Sequence, residues 1–213
     1  MADPRIFCIG KNYAEHVAEL AHLGHDADLV VFMKPASCIV PVGEPIPLPR
    51  GRGAVHHEAE LVVRLGGDWL DALAPGQAIP VERAMACVSA LTLGIDLTLR
   101  EVQTALKNRG APWELAKAFD GAAPLGEFVP YRGQDLQALE FTCHVNGALR
   151  QHGRTREMRY PVARQIHVLS QTWRLRSGDL LYTGTPKGVG PLVAGDRIEL
   201  AAEGIGRFVW DCV

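Results

Sequence analysis

The chain has 213 residues, 47% of them hydrophobic and 22% charged, with a formal net charge of −2. That suits one large globular domain able to bury its own core. The near-neutral balance, with no long basic or acidic run, argues against nucleic acid or an anionic membrane as the partner. No apolar stretch approaches the roughly 20 residues of a membrane span. The apolar segment after Met1-Ala2-Asp3-Pro4-Arg5 is too short for a signal peptide. The five cysteines (Cys8, Cys38, Cys87, Cys143 and Cys212) are scattered, odd in number and without a Cys-x-x-Cys pair. They predict reduced thiols, mostly packed in the core, and a cytoplasmic location.

Glycine and proline punctuate short apolar runs throughout. In chain order, strands are expected over residues 6–9, 30–33, 60–65, 88–95, 140–145, 180–182, 197–200 and 207–213. Helices are expected from residue 14 to about 21, from 99 to 108 and from 162 to about 173. In the last of these, Val162, Ile166, Leu169 and Trp173 recur at helical spacing and mark a core face. Asn146-Gly147 carries the signal of a tight hairpin, and Gly204-Ile205-Gly206 is expected to close another. Many strands with few helices predict a strand-dominated α+β fold. One domain, 1–213, is expected, its first roughly 50 residues forming a small N-terminal subregion that ends in the proline-rich stretch 41–49.

Glu58 and Glu60 lie two apart in Val55-His56-His57-Glu58-Ala59-Glu60-Leu61-Val62-Val63. On a strand they project to one face. Crowded carboxylates are tolerable if exposed, if one is protonated, or if a cation sits between them. A solvated strand face is the plain reading of an isolated Glu-x-Glu, and a metal site is the sharper one. Asp96 follows the apolar run 90–95, and Thr98 with Glu101 reads as a capping box for the next helix. At that junction Asp96 is either a turn or capping residue or a third ligand. Two glutamates and an aspartate make an all-oxygen set that suits Mg²⁺ or Mn²⁺ rather than zinc. His56 and His57 adjoin the pair without a zinc-protease spacing, so they read as packing or supporting residues.

Three further groupings bear chemistry. His16 and Glu19 share a face of the expected first helix, where a carboxylate raises and orients an imidazole; an exposed helical pair is the plain alternative. Lys117 sits among apolar neighbours and is either a surface lysine or a group that stabilises developing negative charge. Thr183-Gly184-Thr185-Pro186-Lys187-Gly188 follows a strand and could cradle a carboxylate or phosphate; its order is not that of a nucleotide-binding P-loop.

Seven segments, IGKNYAEHVAEL, FMKP, VHHEAELVV, LGIDLTLREVQ, APWELAKAFDGAAPLG, VNGALRQHG and GDLLYTGTPKGVGPL, span nearly the whole chain. In this order they resemble the fumarylacetoacetate hydrolase (FAH) family, in particular its small branch of acylpyruvate hydrolases and oxaloacetate decarboxylases. The resemblance implies a rolled mixed β-sheet, homodimers, and one Mg²⁺ or Mn²⁺ held by Glu58, Glu60 and Asp96. It implies a water-activating pair, His16 and Glu19, on a lid helix. Lys117 and Lys34 match the family's lysines, and Arg100, Gln103 and Thr185 match positions that face a small 2-oxo acid substrate. Lys11 stands where acylpyruvases often carry arginine; it keeps the charge but loses the bidentate fork.

The implied reaction is metal-dependent hydrolysis of a C–C bond in an acylpyruvate such as fumarylpyruvate. The cation polarises the 2-oxo group, the His16–Glu19 pair activates water, and pyruvate leaves as an enolate beside Lys117. Oxaloacetate could lose CO₂ at the same site to give the same enolate. Two other readings stand beside this one. The first is an isomerase or decarboxylase of 2-hydroxy-dienedioates in aromatic catabolism, or an oxaloacetate tautomerase. The second is a non-catalytic metal-binding homologue.

Overall fold

The computed structural model describes residues 3–13 and 29–213. The expected helix from residue 14 to about 21, with His16 and Glu19, lies outside the described residues. The first strands in chain order are β1 (Ile6–Gly10), β2 (Val30–Lys34), β3 (Ile39–Pro41), β4 (Val55–His57), β5 (Ala59–Leu65), β6 (Val88–Ile95), β7 (Thr98–Leu99) and β8 (Ala123–Leu125). They are followed by β9 (Val129–Pro130), β10 (Glu140–Val145), β11 (Ala148–Arg154), β12 (Leu180–Tyr182), β13 (Gly190–Leu192), β14 (Arg197–Ala202) and β15 (Gly206–Asp211).

Eight strands form one rolled, mixed sheet in the order β2-β1-β12-β5-β6-β8-β3, with β9 pairing on β6. The β1–β12 and β3–β8 pairs are parallel and the others antiparallel. In the central strand β5 only Arg64 is exposed, so this strand is covered on both faces and reads as a nearly unbroken apolar run. A second sheet, β11-β10-β14-β15, lies against the first through β14 on β6 and β10 on β5. The helix Val162–Thr172 buries Val162, Ile166 and Leu169 as its spacing predicts. Trp173, just past its end, packs against Phe7 of β1 in a tilted pair, ring centroids 5.4 Å apart and planes at 58°.

Local signals translate into the expected elements where they have no tertiary competitor. Asn146 and Gly147 both hold positive φ, 52° and 78°, as a two-residue hairpin turn demands. All five cysteines are unpaired and buried. No helix among the described residues is long and apolar enough to cross a membrane. Gly94 in β6 has a packing reason: an added Cβ would sit 2.7 Å from the Tyr182 hydroxyl. The missing side chain lets Tyr182 reach across and donate to the Pro124 carbonyl at 3.2 Å.

One local expectation fails. The helix Arg100–Asn108 begins after Leu99, and no side chain caps it. The expected capping box of Thr98 and Glu101 does not form. The Glu101 carboxylate accepts from the amide of Ala54 at 2.8 Å, and the Arg100 amide donates to the Ala54 carbonyl at 3.0 Å. Thr98 pairs across β7 and β4 with His56, and its buried hydroxyl accepts from Lys117. Tertiary partners have taken both members of the box.

Candidate active site

Glu58 lies in the break between β4 and β5. There the chain leaves a small three-stranded sheet, β13-β4-β7, and enters the rolled sheet. Glu60 is the second residue of β5 and pairs with Gly94 in β6. Asp96 follows β6 directly, and its amide donates to the Glu58 carbonyl at 2.8 Å. One extra rung past the β5–β6 ladder therefore brings three acidic residues to one point. Each offers a carboxylate oxygen within 4.8 Å of the others. None is solvated: relative exposures are 6% for Glu58 and 1% each for Glu60 and Asp96. The solvated strand face is ruled out.

Among the described residues, three cations form ion pairs with this triad. Lys117, at the end of the short helix Glu114–Lys117, places its Nζ 2.8 Å from Glu58 Oε2 and 2.5 Å from Asp96 Oδ2. It also donates to the Thr98 hydroxyl at 2.6 Å. Burial pulls the Lys117 pKa down, but the charges of Asp96 and Glu58 outweigh it and leave the ammonium above its ordinary range. Arg100 places Nη2 2.5 Å from Glu58 Oε1 and donates from Nη1 to Gln103 at 2.8 Å. Lys34 pairs with Asp96 Oδ1 at 2.8 Å.

Glu60 has no ion-pair partner among the described residues. Its Oε2 accepts from the Gly184 amide at 2.7 Å. Burial, then the charge of Asp96, push its carboxyl well above the usual range. A buried carboxylate with this deficit, beside two others, fits a divalent cation, and the all-oxygen donor set fits Mg²⁺ or Mn²⁺. Glu58, Glu60 and Asp96 would hold it.

The pocket over the triad brings together Lys11, Glu58, Glu60, Arg100, Gln103, Lys117 and Thr185. Lys11 reaches it from a left-handed backbone, φ 60°, uncommon for a residue other than glycine. Lys34 does not line the pocket. It is sealed behind Asp96, and its ammonium also donates to the carbonyls of Leu97 at 3.2 Å, Ala122 at 2.9 Å and Lys117. With its protons committed it has none for a substrate, against the expectation that it would bind one.

The chain as a whole has relatives. The model of the fumarylacetoacetate (FAA) hydrolase C-terminal family matches residues 5–211. The chain belongs to this family. It is 40% identical to the mouse (Mus musculus) mitochondrial oxaloacetate tautomerase FAHD1 over 94% of this chain and 87% of that protein. The crystal structure of fumarylpyruvate hydrolase from Pseudomonas aeruginosa, in complex with Mn²⁺ and pyruvate, superposes with a TM-score of 0.88. Its identity is 34%, over 98% of this chain and 89% of that one. The 2-hydroxyhepta-2,4-diene-1,7-dioate isomerase from Mycobacterium marinum superposes with a TM-score of 0.82 at 33% identity, over 98% of this chain and 74% of that one. This FAH-family enzyme thus stands beside a tautomerase of similar sequence and a hydrolase and an isomerase of similar fold.

Sequence reasoning missed several groups at the site. Lys107, Trp113 and Phe32 line the pocket, and the Lys107 ammonium lies 4.8 Å from the Trp113 ring centroid. Arg100, Gln103 and Lys107 follow one another at helical spacing, a signal that could have found Lys107. Thr98, expected as a helix cap, instead accepts from Lys117. His57 is buried, as a packing or supporting residue should be, with Nδ1 2.9 Å from Gln151. Gln151 carried no local signal at all.

Proposed function

We propose that the enzyme uses Mg²⁺ or Mn²⁺ to hydrolyse the C–C bond of acylpyruvates such as fumarylpyruvate or acetylpyruvate, releasing pyruvate. The observation that carries this reading is Lys117, whose ammonium touches two of the three carboxylates and also lines the pocket. The cation supplies Lewis acidity at a 2-oxo group. Lys117 and Arg100 add fixed positive charge where enolate charge develops, in a site with little water to reorganise.

In this reading His16, oriented by Glu19, takes a proton from water. The water oxygen bonds to the acyl carbon, and the C–C electron pair leaves with pyruvate as its enolate. A proton then ends on the pyruvate methylene carbon, and the acyl half departs as a carboxylate. The anchorage of Asn12 supports this role for the stretch that follows it. Its side chain donates to the carbonyls of Thr183 at 2.7 Å and Tyr160 at 3.2 Å, and accepts from the Tyr160 amide at 2.8 Å. Thr183 precedes the glycine whose amide holds Glu60. The Asn-Tyr-x-x-His-x-x-Glu stretch therefore starts from beside the triad.

Charge counting favours a dianionic substrate. Lys34, Lys117 and Arg100 pair with Asp96 and Glu58, and Lys11 and Lys107 add positive charge to the same pocket. A divalent cation and a dianion then enter together without adding net charge to a buried site. Fumarylpyruvate and oxaloacetate are such dianions; acetylpyruvate, a monoanion, is expected to be the poorer substrate. A homodimer acting in the cytoplasm is part of the same proposal.

The 40% identity to an oxaloacetate tautomerase favours a second reading. An enolate of oxaloacetate itself would then form at the same place, as a proton moves between its 2-oxygen and the adjacent carbon, with no water attack and no C–C bond broken. A panel of fumarylpyruvate, acetylpyruvate and oxaloacetate with Mg²⁺ or Mn²⁺ separates the two. Pyruvate released from acylpyruvates supports hydrolysis. Loss of enol-oxaloacetate absorbance without pyruvate supports the tautomerase. No turnover in either assay would overturn both.

A further inference from the structure

Strand β11 inverts the usual distribution of side chains. Leu149 is 56% exposed, whereas Gln151 is 1% exposed. A buried amide of this kind needs partners, and Gln151 has four. Its Oε1 accepts from the Ala59 amide at 3.0 Å and lies 2.9 Å from His57 Nδ1. Its Nε2 donates to the Pro186 carbonyl at 2.9 Å and to the Thr185 hydroxyl at 2.8 Å. The orientation is unambiguous, because a backbone amide can only donate and a carbonyl can only accept. His57 must then carry its proton on Nδ1.

Two consequences follow. Ala59, the residue between Glu58 and Glu60, is held on both main-chain groups: its amide by Gln151 and its carbonyl by the Thr185 hydroxyl at 2.9 Å. The Thr185 hydroxyl gives its proton to Ala59 and accepts from Gln151, so it faces the pocket with one remaining lone pair. The loop carrying Thr185 approaches β11 closely, and Gly188 permits it: an added Cβ there would lie 2.1 Å from the Arg150 carbonyl.

We propose that Gln151 is a positioning residue for the reaction: through Ala59 and Thr185 it fixes the spacing of Glu58 and Glu60 and makes Thr185 a pure acceptor toward the ligand. The Thr185 hydroxyl then meets a proton-bearing group, an enol hydroxyl or a water, rather than an anionic oxygen. This proposal rests on the metal-dependent reading of the site.

The test is Mn²⁺ titration calorimetry on metal-free wild type and Gln151→Met, with melting curves of both. Removing a group that orients ligands weakens binding roughly 10- to 100-fold, and that is the loss expected. A folded Q151M that melts lower but binds Mn²⁺ as wild type does would leave Gln151 a packing role and overturn the proposal. Wild type that binds no Mn²⁺ would overturn the metal reading, and this proposal with it. Turnover adds a readout that packing alone does not move: the Q151M loss should shrink in a Thr185→Val background, because residues acting through one another are non-additive. Additive losses would overturn the link through Thr185. Should Q151M not fold, Gln151→Glu serves. Its carboxyl must be protonated to donate to Pro186, so its Mn²⁺ affinity relative to wild type should worsen from about pH 5.5 to about pH 8.5. A constant ratio would overturn the proposal.

Discussion

The amide of Asp96 donates to the carbonyl of Glu58 at 2.8 Å. This bond continues the β5–β6 pairing one step beyond Ala59 and Ile95. It sets two acidic side chains, remote in sequence, on either side of the Lys117 ammonium. Lys117 is therefore a counter-ion shared by Glu58 and Asp96, and a divalent cation bound at the triad would share or replace its contacts.

Lys117→Met tests that competition. Leaving buried carboxylates without their partner costs about 3–5 kcal/mol, so the metal-free variant should melt well below wild type. Mn²⁺ should bind it at least as tightly, since the competing ammonium is gone, and should restore much of the lost stability. Turnover should fall roughly 10²- to 10³-fold, the usual loss on removing a group that stabilises developing negative charge. Weaker Mn²⁺ binding with normal turnover would contradict the role given to Lys117.

Glu60→Gln should behave in the opposite sense without metal. The wild-type carboxyl is buried, flanked by Asp96 and pushed well above its usual range. Replacing it with a neutral isostere removes that penalty, so the metal-free variant should melt above metal-free wild type. A ligand at one hundred times its dissociation constant stabilises by about 2.7 kcal/mol, or roughly 5–10 °C for a chain of this size. Wild type should show that gain with Mn²⁺ and E60Q should not. A full Mn²⁺ gain in E60Q would remove Glu60 from the ligand set.

Lys107 should set a pH limit on substrate binding. Burial, then the charge of Arg100, pull its pKa down to about 8. It lines the pocket, so a charged Lys107 can hold a second anionic group of the substrate. KM for fumarylpyruvate should then rise above about pH 8, and Lys107→Met should flatten that rise. Hydrogen bonds to charged groups contribute about 1.5–3 kcal/mol, so K107M should raise KM for fumarylpyruvate roughly 10- to 100-fold. KM for acetylpyruvate, which lacks the second carboxylate, should change little. The linkage to folding has a definite sign. Between about pH 8 and the ordinary lysine value the unfolded chain binds the extra proton, so this group's contribution to stability increases with pH across that window.

His16→Ala separates water attack from enolate formation. Losing a general base costs roughly 10²- to 10⁴-fold. The loss should fall on acylpyruvate hydrolysis and largely spare oxaloacetate tautomerisation or decarboxylation. Equal losses in pyruvate release and enol–keto interconversion would contradict a separate role for His16.

Sequence and structure agree where a signal is local. The Asn146-Gly147 turn, the strand Val88–Ile95 and the core face of the helix Val162–Thr172 depend on backbone preference and on periodic burial, and neighbours in sequence carry both. The Thr98–Glu101 box is the instructive failure. Its two side chains had better partners in Lys117 and Ala54, and only the folded chain supplies those.

The site divides in the same way. The amino-acid sequence by itself determined the residue types, the Glu-x-Glu spacing on a strand, the acidic residue at a strand end and, through seven ordered segments, the family. It left the charges as either a solvated face or a metal site. Tertiary structure excluded the first, because burial is a property of the whole sheet: carboxylates 1–6% exposed cannot be solvated. It also turned Lys34 away from the pocket and brought Lys107 into it. Gln151 meets the main chain of Ala59 because the second sheet lies against the first, and a hydrogen bond across that contact leaves no trace in the residues beside it.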